Sequence, residues 1–173
     1  MTGPNDKAGG SVGHSFRGVT MTFLPANRGP RLAVRALIVE HGKLLIVNAY
    51  PGGVSDLWCA PGGGVERHVG LADNLLREVH EETGLTIALD GLAGINEFHD
   101  PDSDFHQVDL FFRAHRLAGS LNEAWTDPEG IVTERQWVTG TELANLRYKP
   151  DSLSAMAFGN TQAPYDPLER LVL

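Results

Sequence analysis

The spacing of apolar residues predicts an α/β chain of mixed α+β character, and three segments carry that expectation. Leu32 to Glu40 and Lys43 to Ala49 are apolar runs separated by a short turn, and they read as a pair of strands. Around Arg77 the period becomes helical. At about 100° per residue, Ala72, Leu75, Leu76 and Val79 fall within roughly 160° to 260° of Arg77, giving one apolar side to pack against a sheet. Gln107 to Arg116 returns to period two, with Val108, Leu110 and Phe112 alternating against Asp109, Phe111 and Arg113.

Residues 1–17, rich in Gly, Ser and Asn, are expected to form a flexible arm, and Thr20 to Leu24 a further strand. The domain itself is expected over 18–158. Within it, Trp58 to Glu66 ends an apolar stretch in the run Gly62-Gly63-Gly64, so a strand enters a turn-forming loop that leads to the helix. Gly84 is placed to end that helix in the left-handed conformation. Asn96 to His106, centred on Asp100-Pro101-Asp102-Ser103-Asp104, reads as a loop. A stretch ending at Phe158 reads as a short helix. Residues 159–173, with Pro164 and Pro167, read as an irregular tail packing on the domain or on a partner.

At 173 residues the chain suits one domain with a single sizeable core. No run of about twenty apolar residues is present to span a membrane, and the N-terminal stretch is polar, so a cytoplasmic protein is expected. A net charge of −8 with no basic tract argues against nucleic acid as a partner. The single cysteine, Cys59, lacks the spaced partners of a disulfide or a zinc site and reads as a small buried residue.

Arg77-Glu78-Val79-His80-Glu81-Glu82-Thr83-Gly84-Leu85 holds the densest chemistry. On the same wheel Glu81, Glu78 and Glu82 lie near 40°, 100° and 140° from Arg77, so all four share one arc directed away from the apolar side. Glu78 and Glu82 are like charges at i,i+4, and the three acids occupy the helix end that prefers cations. Two readings account for this: a solvated acidic face with Arg77 paired to Glu81, or a site where a bound cation turns repulsion into coordination. The glycine run favours the second, because glycines let the backbone approach a ligand.

Gly63 followed by Arg77-Glu78-Val79-x-Glu81-Glu82-x-Gly84-Leu85 resembles the Nudix box of the Nudix hydrolase family, with Val69 standing where the family carries a glutamate and His68 where a glycine is common. The resemblance runs from about Leu32 to Leu146 and implies a Nudix-type α/β/α sandwich with a mixed β-sheet. Glu134 to Val138 then matches the closing strand, and Thr141 to Leu146 a short helix that Thr141 would cap. The activity implied is hydrolysis of a nucleoside diphosphate linked to another group, by water with Mg²⁺ or Mn²⁺ in place. A nucleotide sugar such as ADP-ribose is favoured over a nucleoside triphosphate, partly through Pro101 about sixteen residues after the box. Metal ligation falls to Gly63, Glu78, Glu81 and Glu82, with Arg77 holding a glutamate in place. Glu66 would compensate for Val69. Glu129, Glu134 and Glu97 are candidates for the general base. His99, Phe105 and His106 are candidates for contact with the variable group, and Tyr50 and Trp58 for an aromatic face against a base. Family members are often dimers, and no seam in this sequence demands one. The alternative is a Nudix-fold module that binds a nucleotide without cleaving it, for which Val69 is the best support.

Overall fold

The computed structural model describes residues 29–52, 54–159, 165, 166 and 168–172; the expected arm and the strand at Thr20 to Leu24 lie outside the described residues. The strands are β1 (Arg31–Glu40), β2 (Lys43–Asn48), β3 (Trp58–Cys59), β4 (Gly62–Gly64), β5 (Thr86–Asp100), β6 (Phe105–Ala118), β7 (Arg135–Thr139) and β8 (Glu169–Arg170). The helices are α1 (Leu71–Thr83), α2 (Gly140–Leu143) and α3 (Leu153–Phe158). One mixed sheet runs in the order β3-β2-β1-β6-β5-β8, with β4 added to β1 and β7 to β2.

The centre is β1, parallel to β6 and antiparallel to β2 and β4. Its near-continuous apolar run reflects burial on both faces. One face sets Val34, Ala36 and Ile38 against Leu75 and Val79 of α1. The other sets Leu37, Leu44 and Phe111 against Leu153 and Met156 of α3. Full burial of Leu75 or Val79 contributes about 1.5–3 kcal/mol each, so a charge at Leu75 would break the α1 face. Because β4 pairs with Ala33 to Arg35 and β2 only with Val39 and Glu40, the two neighbours of β1 diverge on that side and leave a cleft. Among the described residues, no helix is long and apolar enough to cross a membrane.

Several local expectations need correction. Ala72, on the apolar side of the wheel, is exposed in the first turn of α1. Asn96 to His106 is not a loop but the end of the β5–β6 hairpin, whose turn is confined to residues 101–104; His99 and His106 are cross-strand partners. Asp109 is 1% exposed, so both faces of β6 are covered. Thr139, not Thr141, caps α2, because only Thr139 has a glutamate at the third helical position to complete a capping box with Glu142. The tail is not irregular throughout: β8 pairs in parallel with β5.

Candidate active site

The acidic arc of α1 is not turned away from the sheet as the wheel suggested. Asn74 and Glu78 are buried beside Leu75 and Val79, because β4, a strand of three glycines, leaves room for polar side chains there. A Cβ at Gly63 would lie 2.3 Å from Glu78 Oε2. The Gly62 amide donates to Glu82 Oε2 at 2.7 Å. Asn74 fixes the chain leaving β4, donating to the Gly64 carbonyl at 3.1 Å and accepting from the Glu66 amide at 3.0 Å. Gly84 ends the helix at φ 74°, as expected of a C′ glycine.

Arg77 gathers three carboxylates. Its guanidinium donates to Glu81 Oε2 at 2.6 Å and Glu78 Oε1 at 2.7 Å, and lies 2.8 Å from Glu66 Oε1. Burial pushes the Glu82 carboxyl up to about 8, against the opposing influence of Arg35 and the Gly62 amide, with Glu78 and Asp127 adding to the rise. Burial likewise raises Glu78, opposed by Arg77 and assisted by Glu129. A cation in this cleft would relieve both and restore the carboxylates.

The opposite wall comes from the loop between β6 and β7, clamped to the C-terminal end of α1. The Trp125 indole donates to the Glu81 carbonyl at 2.8 Å and packs over Gly84, where a Cβ would lie 2.9 Å from the ring. Arg135 donates to the carbonyls of Glu82, Trp125 and Val132, placing a cation at the negative end of the helix dipole. Two buried side chains shape the remainder. Asp127 accepts from the amides of Glu129, Ile131 and Val132 at 2.8–3.0 Å. Asn48 accepts from the amides of Thr133 and Glu134 at 2.9 and 2.8 Å and donates to the Ile131 carbonyl. The result is a cavity of about 280 Å³ into which Glu78, Glu81, Glu82, Glu66 and Glu129 converge.

The sequence reading missed Arg31, Arg35 and Asp127 in this wall. Arg35 had a signal, a charge repeating at the inward phase of an apolar strand; it donates to the Gly62 carbonyl at 2.5 Å and to Asp109 at 3.3 Å. Asp127-Pro128-Glu129-Gly130 is turn chemistry, which marks Asp127 as a loop builder.

Other candidates fall elsewhere. Glu134 lines a different cleft with Trp58 and Arg147. Glu97 lies across the hairpin, 3.9 Å from His106. His99 and His106 line a shallow recess with Asp100 and Ser103. Tyr50 and Phe105 line a second cavity that shares Arg31, Arg35 and Cys59 with the acidic one. Val69 is 37% exposed. Cys59 is half-buried, and burial pushes its thiol up to about 11, which disfavours the thiolate.

The family model of the NUDIX domain matches residues 29–157. The chain belongs to the Nudix family. It is 29% identical to Nudix hydrolase 2 of Arabidopsis thaliana over 157 residues, which are 84% of this chain and 55% of that protein. It is 28% identical to an ADP-ribose pyrophosphatase of Methanocaldococcus jannaschii over 92 residues, 53% of this chain and 54% of that one. The chain thus spans about half the length of the curated relatives it matches. A crystal structure of UDP-X diphosphatase superposes with a TM-score of 0.64 at 22% identity, over 86% of this chain and 71% of that one, a likeness of Nudix fold. In Nudix terms, α1 carries the box, and β4 supplies the glycine that begins it.

Proposed function

We propose that this Nudix protein is a pyrophosphohydrolase dependent on Mg²⁺ or Mn²⁺, acting on a nucleoside diphosphate linked to a second group. The observation that carries the reading is the pair of desolvated carboxylates, Glu78 and Glu82, held against the glycine strand and facing Glu129 across one cavity. Among the described residues, no three His, Cys, Asp or Glu side chains form a ready-made metal cage. Mg²⁺ takes one or two carboxylates and completes its shell with water and substrate phosphate oxygens. When bound, the ion would acidify water and neutralise charge on the phosphates.

Glu78 and Glu82 would be the principal ligands, with Glu81 and the backbone at Gly63 beside them. Arg77 positions Glu78 and Glu81 through its fork of donors. Glu129, on a loop built by Asp127, is the better general base, since Glu134 faces a different cleft. Arg31 and Arg35 are placed to meet phosphate oxygens pointing away from the acids. Hydrolysis then splits the phosphorus–oxygen bond of the anhydride. Water supplies the new oxygen, and its proton passes to Glu129. Among substrates, a nucleotide sugar such as ADP-ribose is favoured over a nucleoside triphosphate. The Methanocaldococcus relative bears the name of such an enzyme, and Pro101 lies at the expected offset from the box.

The deciding experiment measures nucleoside monophosphate and phosphate released from a nucleotide panel, with and without Mg²⁺, for the wild type and Glu82→Gln. The proposal expects Mg²⁺-dependent product and a loss in the variant of about a hundredfold or more. A reading as a binding module, favoured by Val69, expects metal-independent binding and no product.

A further inference from the structure

Beside the acidic cavity lies another of about 180 Å³, and the two meet at Arg31 and Arg35. Strand register builds its floor. Arg31 and Arg35 of β1 lie opposite Gln107 and Phe111 of β6, and Gln107 lies opposite Phe98 of β5, so these side chains share one face of the sheet. Tyr50 and Phe105 stand at its sides, and Leu171 and Val172 close it. Aromatic faces with an apolar wall suit a flat ring. Asp109, the one acid among the described residues lining this recess, is already occupied by Arg35 at 3.3 Å and the Gln107 amide at 3.1 Å.

The closing wall is anchored at several points. β8 pairs with β5 through Phe98 and His99, and the Leu171 amide donates to the His99 carbonyl at 2.8 Å. The Glu169 carboxylate accepts from Lys149 at 2.5 Å and from Asn96 at 3.2 Å. The Tyr50 hydroxyl donates to the Val172 carbonyl at 2.9 Å.

We propose that Leu171 and Val172, positioned by the Tyr50 hydroxyl, determine specificity by bounding the recess that receives the planar heterocycle of the substrate, whose phosphates run back past Arg31 and Arg35. The position of the diphosphate rests on the hydrolase reading; the wall and the recess do not. Widening the recess with Leu171→Ala or Val172→Ala, and narrowing it with Leu171→Phe, should shift the preference between purine and pyrimidine ligands in opposite directions. Tyr50→Phe, which keeps the ring and frees the wall, should act in the widening direction.

The test uses the full chain. With Mg²⁺, kcat and KM are measured for ADP-glucose and UDP-glucose, which differ only in the base, and binding of ADP and UDP is followed by calorimetry. The expected result is a change of about tenfold in the ADP-to-UDP ratio, carried by KM and by the binding constants, with kcat nearly constant and the melting temperature retained. A purely structural role would lower stability and move both nucleotides by the same factor. An unchanged ratio in every folded variant, or no binding of either nucleotide by the wild type, overturns the proposal. Failure of the wild type to cleave either sugar nucleotide while binding ADP or UDP would leave the ratio of binding constants to decide the wall, and the nucleotide panel with Glu82→Gln to decide the hydrolase reading.

Discussion

Gly62 and Gly63 are neighbours that lack a side chain for different reasons, and the difference separates stability from function. At Gly62, φ is 134° and a Cβ would lie 2.2 Å from the Val34 carbonyl oxygen, which is fixed in the sheet. Gly62→Ala should therefore destabilise the fold by about 2–4 kcal/mol, read in a denaturant melt. At Gly63 the clash is with Glu78 Oε2, the mobile end of a side chain. Gly63→Ala should cost less than about 1 kcal/mol, because the carboxylate can swing aside. The same swing should weaken metal binding and turnover by about tenfold or more. Equal melting losses for the two variants would contradict this division. Val69 belongs to the same scale. If the missing carboxylate leaves one ion poorly held, Val69→Glu should lower the Mg²⁺ concentration needed for half-maximal activity, and an unchanged metal titration would count against that explanation.

The elements are joined at their ends by polar clamps. Arg116 of β6 forms a two-pronged pair with Glu40 at the end of β1, at 2.7 and 2.8 Å. This hydrogen bonding to Arg116 holds the Glu40 carboxyl below its ordinary value. A depressed carboxylate adds stability above its unfolded value of 4.5 and loses it as pH falls through the folded one. Arg116→Gln should therefore lower stability at neutral pH, with the gap to the wild type closing in acid. A gap that widens in acid would contradict the assignment. The Trp125 clamp does more for the site, because it sets the loop carrying Glu129 against α1. Trp125→Ala should cost about 1–3 kcal/mol, and it should lower kcat beyond what the unfolded fraction explains. A normal kcat per folded molecule would show that the loop holds its place without Trp125.

For the molecule as a whole, what the sequence made legible follows from how local each signal is. The box residues sit on one helix, so their spacing alone put Arg77, Glu78, Glu81 and Glu82 on one arc. Burial of Glu78 on that arc was hidden, because it depends on a strand of glycines arriving from residues 62–64. β1, β2 and β6 were readable from periodicity. β5 was not, since register shifts near Leu89, Gly91 and Gly94 break its alternation. The place of Glu129 on the wall of the acidic cavity was hidden, because Asp127, Asn48 and Arg135 close its loop by contacts that are mostly distant in sequence. The role of residues 165, 166 and 168–172 was hidden as well, because their pairing to β5 runs mainly through backbone groups and the half-buried Glu169.

The proposed function rests at every scale on one physical point: Glu78 and Glu82 are desolvated against β4, and a divalent cation with the diphosphate it brings would stabilise their charge. The most direct measurement is anomalous diffraction from crystals soaked in Mn²⁺ and a nucleoside diphosphate. The account predicts a peak about 2.0–2.4 Å from carboxylate oxygens of Glu78 and Glu82, with the phosphates directed toward Arg31 and Arg35. It would be contradicted by those carboxylates remaining bound to Arg77 and Gly62 with no metal peak between them.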